Sequence, residues 1–480
     1  MDFVQKHPWT LILSALFIGA NAILFFQNNY FLLALPFVLI VIYLALFHLE
    51  HSFLLVAFLT PISVNLEEFT DGRIGLFLPT EPILFGLLFL IIMQQLRRPW
   101  IPNFIWRHPL TISLGFYLAW LLITSVTSTN PLVSFKFLLM KSWYIVPLIT
   151  LGTKVFMKQK NILNFLWLIT TSMTVIILFT VIRHSTYGFG EKEGHWVMEP
   201  FYKDHTIYGA GVAIQFFFVM ALWRYKKHSA IIQFTLLSFL IITLVGLYFS
   251  YTRGAWLSVI VAFIVWLLIH FKVNFKYLLG IGVTALIIVA LNWTEIQFAL
   301  AKNRSEHTTE EFSERMKSAS NVTSDASNLE RLNRWSAAWL MFQERPVFGF
   351  GPATYAFEYA PYQDPDKLTI ISTNFGDGGN AHSEYLGPLA ETGFIGFLSV
   401  IIFVSLLFYE GITLYLRYPK DETGMKTIIF FLILAMVTYF FHGLLNNYLD
   451  TDKAAVPVYG VCAIFIALKY QLDKEVRLIN

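Results

Sequence analysis

Apolar runs of about 20 residues recur along most of this 480-residue chain, and no other feature constrains its fold as strongly. A helix rises about 1.5 Å per residue, so about 20 apolar residues match the ~30 Å hydrocarbon layer of a bilayer. Helices and closed barrels alone satisfy every backbone polar group in lipid. Composition agrees with helices in lipid: 56% of residues are hydrophobic and only 14% are charged, against about 25% charged in a soluble domain. The expected class is all-α, a polytopic transmembrane helix bundle of about 12–14 spans with one long loop that contains amphipathic helices. Spans are expected near 9–26, 30–47, 51–64, 79–96, 109–127, 135–151, 162–183, 205–223, 230–249, 254–270, 276–293, 385–409, 428–446 and 455–471. The third is too short for a standard crossing and is expected to be tilted, broken or re-entrant. The first run has a charged lead before it but no small-residue cleavage site behind it, so it reads as a retained helix.

Lys and Arg accumulate in the short cytoplasmic loops of membrane proteins. With a cytoplasmic N-terminus, 18 of them fall on inside segments and 6 on short outside segments. This threading places both termini in the cytoplasm and the long loop on the opposite side. It divides the chain into an N-terminal transmembrane bundle (1–293), a long outside loop (294–384), and C-terminal transmembrane helices with a cytoplasmic tail (385–480). A net charge of +3 gives no reason to expect nucleic acid. The single cysteine, Cys462, rules out a disulfide framework, and no metal-ligand spacing occurs.

The start of the long loop, Lys302 to Asn328, is polar and reads as exposed helix or flexible chain. Ser327-x-x-Glu330 then forms a capping box. Leu332, Trp335, Trp339 and Phe342 follow at helical spacing up to Pro346. Such a stripe suits either a helix lying on the membrane surface or one packed against the bundle.

Charged groups in or beside spans are costly and are functional candidates by default. Those of unusual placement here cluster at the expected outer face: Lys136 and Lys141 within one span, Arg183 at the end of another, Lys203-Asp204-His205 opening the next, and Arg253 opening one more. Singly, each is explained by snorkelling or ion pairing; as a group they suit one anionic ligand. The end of the long loop, Gly376-Asp-Gly-Gly-Asn380-Ala-His382-Ser-Glu384-Tyr385, forms a second constellation. Asn380 reads as an N-cap, which puts His382 in the first helical turn. There the helix dipole would keep the imidazole neutral and able to accept a proton. Gly393 and Gly396 read as aids to close helix packing.

These residues resemble a known family. His382-Ser383, nine residues, then Gly393-x-x-Gly396 is similar to the His-[Asn/Ser/Gln]-x9-Gly-x-x-Gly signature of the O-antigen ligase and polymerase superfamily. Arg331-x3-Trp335 followed by Pro346-Val-Phe-Gly349-Phe-Gly351 resembles its Arg-x3-Trp and Pro-[Leu/Val]-x-Gly-x-Gly segment, and Arg253-Gly-Ala-Trp-Leu257 its Arg-x3-Leu motif. The likeness covers roughly residues 180–460; the eleven spans threaded before the loop exceed the number expected of ligases. The resemblance implies glycan transfer from undecaprenyl pyrophosphate at the periplasmic face of a bacterial inner membrane, by an inverting, metal-independent mechanism without cofactor. It implies His382 as the base. The donor pyrophosphate would be bound by cations among Arg253, Arg183, Arg331, Lys141 and Lys136, and Asp204, His205, Glu384 and His442 are supporting candidates. The expected partners are the lipid-linked donor, membrane lipids, and an acceptor: lipid A-core for a ligase, a second lipid-linked glycan for a polymerase. A transporter of lipid-linked sugar would need internal repeats and charges near the midplane, and the sequence offers neither.

Overall fold

The computed structural model describes residues 8–27, 30–69, 75–226, 228–271, 291–292, 326–365, 368, 379–419 and 424–479. Two compact units are present, residues 1–53 and 54–480. The first holds α1 (Pro8–Phe26) and α2 (Leu35–Phe47). Both expose apolar side chains along their lengths, as lipid contact requires. Helix α3 (Leu49–Leu59) follows after His48 and continues into the second unit. At 11 residues it covers about 16 Å, too short for a crossing, so the expected 51–64 span is a short helix that ends in a turn.

The rest of the second unit contains α4 (Thr80–Arg97), α5 (Pro109–Val126), α6 (Pro131–Phe156), α7 (Gln159–Ser185), α8 (His205–Tyr225), α9 (Ala230–Tyr248) and α10 (Arg253–His270). These are followed by α11 (Ala326–Glu344), α12 (Leu386–Arg417), α13 (Met425–His442) and α14 (Asp452–Ile479). Among the described residues, 11 helices are long and apolar enough to cross a membrane, and the protein is a multi-pass membrane protein. The all-α expectation holds, with one addition: a two-stranded antiparallel pair, β1 (Val64–Asn65) and β2 (Phe77–Leu78). The expected span 276–293, the polar stretch from 302 and the domain boundary at 293 lie outside the described residues, apart from 291–292 and 326–328.

Burial ranks the helices. In α8, α13 and α14 the apolar windows are 78%, 78% and 83% buried, whereas α9 and α10 bury 22%. The first three form the centre of the unit, and the other two lie nearer its surface. Polar ties hold the centre at one end. The Lys453 ammonium donates to the Thr60 and Ser63 carbonyls at 2.6 and 2.7 Å. Asp452 accepts from Ser63 and Thr80 hydroxyls. Lys453, one of the few cations on the expected outer side, thus serves to fix the start of α14.

Helix α12 shows how the glycine signature works. Gly393 has φ +68 and breaks the helix, so the carbonyls before it lose their helical partners. The segment after α11 takes them up: Phe350 and Gly351 donate backbone N–H to the Ala390 and Glu391 carbonyls at 3.2 and 2.7 Å, and Phe394 donates to Pro346 at 2.8 Å. The Trp120 indole donates to the Thr392 carbonyl at 2.9 Å and stacks on Phe348. A Cβ at Gly393 would overlap the Val347 carbonyl, and one at Gly349 the Glu391 backbone. The two glycine motifs therefore lock to each other. For Gly393 the expectation of close packing between regular helices becomes a deliberate break.

Candidate functional site

Helix α11 has Ser327 within it and not at a cap. Its buried face is Glu330, Asn333, Arg334, Ala337, Ala338 and Met341. The Leu332–Trp335–Trp339–Phe342 stripe lies off that face, with Trp339 51% exposed. Leu332, Trp335 and Phe342 are half-buried, and the Trp335 indole donates to the His382 carbonyl at 3.4 Å, so the stripe packs in part and exposes Trp339. Arg334, absent from the expected site, is the hub of the buried face. It pairs with Glu330 at 2.7 Å, donates to the Asn380 carbonyl at 3.0 Å, and lies over the Tyr359 ring. It thereby fixes the loop that carries His382.

That loop corrects the reading of His382. Helix α12 starts at Leu386, so Asn380 is not its N-cap and His382 precedes the first turn. Asn380 Oδ1 instead accepts the His382 N–H at 2.9 Å. His382 adopts φ +47, a left-handed conformation that costs a non-glycine residue on the order of 1–2 kcal/mol. Strain of this kind collects at functional sites because surrounding contacts must enforce it. The ring is neutral at pH 7 for a different reason from the one expected. Burial, then the nearby Arg331 and Arg334, push its pKa down to about 4, while a hydrogen bond to Asn446 and the charge of Glu330 oppose them. The helix dipole has no part in it.

Three further pieces of chain meet at this end of the bundle. Thr252, just before Arg253, donates its hydroxyl to the His205 carbonyl at 2.7 Å, which joins the starts of α10 and α8. Asp204 caps α8, accepting from the Thr206 and Ile207 N–H groups at 2.7 and 3.1 Å. His205 stacks on His195 with centroids 4.1 Å apart, within electrostatic reach of Arg253 and Arg331. At the end of α13, His442 Nε2 lies 3.0 Å from Asn446 Nδ2. It also lies 3.3 Å from where a Cβ at Gly254 would be, so a side chain after Arg253 would press on the His442 ring. Arg331 donates to the Leu445 carbonyl at 3.2 Å and acts on His382, His442 and His205.

The expected cations therefore separate into groups. Arg253 and Arg331 converge with His205, His382 and His442. Arg183 hydrogen-bonds the Val197 and Glu199 carbonyls and lies 5.0 Å from the Trp196 ring, holding the segment before α8. Lys136 is exposed on α6. Lys141 is buried elsewhere, in a cavity of about 370 Å³ that it shares with Glu384, Glu391 and Asp450. Burial pushes the Glu384 and Asp450 carboxyls up, and Lys141 opposes that shift. Glu384 Oε1 accepts from the Tyr439 hydroxyl and from the Tyr448 and Leu449 N–H groups at 2.6, 2.7 and 2.8 Å. It staples the loop before α12 to the 443–451 turn and does not orient His382.

Asn446, Glu391 and Asp450 went unnamed at the level of sequence. Asn446 had a faint signal in its position four residues after His442. The other two had none, because their partners are distant in the chain.

Residues 236–401 match the family model described as O-antigen ligase. The match contains Arg253, Arg331, His382 and both glycine motifs, and it bears out the resemblance carried by those residues. No curated protein matches the chain.

Proposed function

We propose that the protein is an inverting, metal-independent glycosyltransferase of a bacterial inner membrane, moving a glycan from undecaprenyl pyrophosphate to an acceptor sugar hydroxyl at the periplasmic face. One observation carries the reading: at one end of a membrane bundle Arg331 lies within electrostatic reach of a neutral, conformationally strained His382 and, together with Arg253, of His205. Guanidinium is the side chain best matched to phosphate oxygens. His382 removes the acceptor hydroxyl proton, the oxygen attacks the anomeric carbon from the face opposite the pyrophosphate, and the glycosidic C–O bond breaks with inversion. Arg253 and Arg331 stabilise the charge that develops on the leaving pyrophosphate.

Asn446 orients the base. It sits between His442 and His382, and an amide there must donate to one ring and accept from the other. With Nδ2 on His442, its oxygen accepts the His382 N–H and leaves the second His382 nitrogen free to take a proton. Binding of the anionic donor at Arg331 would offset that cation and raise the basicity of His382 when it is needed.

The matching family is described as O-antigen ligase, so we assign lipid A-core as the acceptor, with polymerisation of a lipid-linked glycan as the alternative. The sidedness rests on the charge asymmetry of the loops. Reconstitution with lipid-linked oligosaccharide plus either lipid A-core or a second lipid-linked glycan tests the whole reading. Ligated product supports the assignment, extended glycan replaces it with a polymerase, and no product with either acceptor removes the transferase.

A further inference from the structure

The cavity around Lys141 has no task in the reaction just described, yet it is built as carefully as the cluster that has one. Its walls are the facing parts of α5 and α6, Lys203, residues 353–356, the loop before α12, the first two turns of α12 and the 443–451 turn. Lys141 is 4% exposed, and among the described residues its ammonium has no hydrogen-bond partner, although Glu384, Glu391 and Asp450 lie within electrostatic reach. A buried charge without hydrogen bonds is costly unless something else supplies them. The Asn447 Oδ1 atom is likewise buried without a partner at the same wall.

The carboxyl groups are held in place from behind. Three donors fix Glu384 Oε1, and the Tyr355 N–H holds Glu391 Oε1 at 3.1 Å. Carboxyl, amide and ammonium groups fixed in one concave site are the usual means of gripping vicinal hydroxyls, which donate and accept together. Three carboxyl groups outnumber the two ammoniums at the wall, Lys141 and Lys203, and Lys203 is already paired with Glu67 at 3.1 Å, which disfavours a phosphate. The backbone of Asn380, Ala381 and Ser383, on either side of His382, forms part of the lining, so an occupant would lie next to the base.

We propose that this cavity is a saccharide subsite that takes an unphosphorylated, hydroxyl-rich sugar of the acceptor, gripped by Lys141, Glu384, Glu391 and Asp450. The assignment to the acceptor rests on the transferase reading above. It takes Lys141 away from the donor pyrophosphate, where the sequence alone placed it.

Binding to the full-length protein in nanodiscs tests the subsite without turnover. The probes are core oligosaccharide released from lipid A and dephosphorylated, the same oligosaccharide with its phosphates, and undecaprenyl pyrophosphate. The wild type is expected to bind the dephosphorylated oligosaccharide more tightly than the phosphorylated one. Loss of one hydrogen bond to a charged group predicts binding about tenfold weaker in Lys141→Met and in the isosteric Asp450→Asn, with undecaprenyl pyrophosphate affinity unchanged. Glu391→Gln serves as a third variant if Lys141→Met does not fold. Unchanged oligosaccharide affinity in the folded variants overturns the proposal, and so does weaker undecaprenyl pyrophosphate binding alone. Absence of oligosaccharide binding to the wild type overturns it too. Transfer is measured separately: binding without transfer keeps the saccharide subsite and removes the transferase, whereas transfer with an unchanged acceptor KM in Asp450→Asn keeps the transferase and removes the subsite.

Discussion

The 443–451 turn serves two neighbouring regions of opposite electrostatic character. Asn446 and the Leu445 carbonyl engage His442, His382 and Arg331. Asn447 and Asp450 line the Lys141 cavity. The first region gathers guanidiniums and imidazoles, and the second sets three carboxyl groups against the Lys141 and Lys203 ammoniums. A pyrophosphate and a neutral sugar need these two environments respectively, and a transferase needs them side by side. Adjacent residues of one short turn achieve the division, so movement of the turn would disturb both regions together.

The largest effect is expected at the base. His382→Ala should lower turnover by about 10²–10⁴-fold, the range of general base catalysis, and leave undecaprenyl pyrophosphate affinity nearly intact. Near-normal turnover would remove His382 from the chemistry and leave the cationic region as a binding site only. Next comes Arg253→Ala, with a loss on the order of 10²-fold in kcat; Arg253→Lys should retain more activity because it keeps the charge without the bidentate fork. Equal, wild-type rates in both would break the contrast drawn between the two regions.

Asn446 lies at the border and sharpens the comparison through pH. The kcat/KM profile of the wild type should keep its acid limb near 4, where His382 titrates, and not near the ordinary 6.5 of histidine. Arg331 and Arg334 favour the neutral ring, while Glu330 and Asn446 favour the protonated one. Arg331→Gln removes a cation, makes protonation easier, and should move the limb upward, so that activity is lost earlier as pH falls. Asn446→Ala removes an opposing interaction; its limb should not rise, while kcat drops by about tenfold for one lost orienting hydrogen bond. If both variants shift the limb upward, Asn446 does not hold the His382 ring in the way described.

A smaller effect, on stability alone, is expected from Gly393→Ala. The left-handed φ costs a non-glycine residue on the order of 1–3 kcal/mol, and the new Cβ would meet the Val347 carbonyl. Gly86→Ala on α4 is the control, since nothing lies within 4 Å of a Cβ there. A lower thermal midpoint in the first and not in the second, by fluorescence in detergent, is the expected result.

How far the sequence reached follows from the range of each signal. Helices and the arginine and histidine motifs were legible because hydrophobic length and short spacing are local. Gly393 was visible as a motif, but its role as a helix break was not, because the groups that take up the freed carbonyls lie more than 30 residues upstream. The α11 stripe was found and its orientation left open, because half of the buried face is Glu330, Asn333 and Arg334, and beside Ala337 and Ala338 only Met341 on it is a large apolar residue. Lys141 was placed with the arginines because all are cations at one level of the membrane. Its actual neighbours, Glu384, Glu391 and Asp450, are more than 200 residues away in the chain.

Chelation should have the smallest effect, and it tests the acidic region against its main competitor. Three carboxyl groups around one cavity invite a divalent cation as well as a sugar. Two features favour the sugar. Glu384 Oε1 already accepts three hydrogen bonds, which leaves it little capacity for a metal, and Lys141 brings a positive charge into the space a metal would need. On the proposed donor side, Arg253 and Arg331 would supply the positive charge that a metal gives phosphoryl chemistry elsewhere. Exhaustive treatment with EDTA should therefore leave transfer unchanged, and added magnesium, manganese or calcium should not raise it. Loss of transfer restored by one of these ions, and absent in Asp450→Asn, would turn the acidic region into a metal site. The contrast between the two regions would then be one between two ways of neutralising a single pyrophosphate.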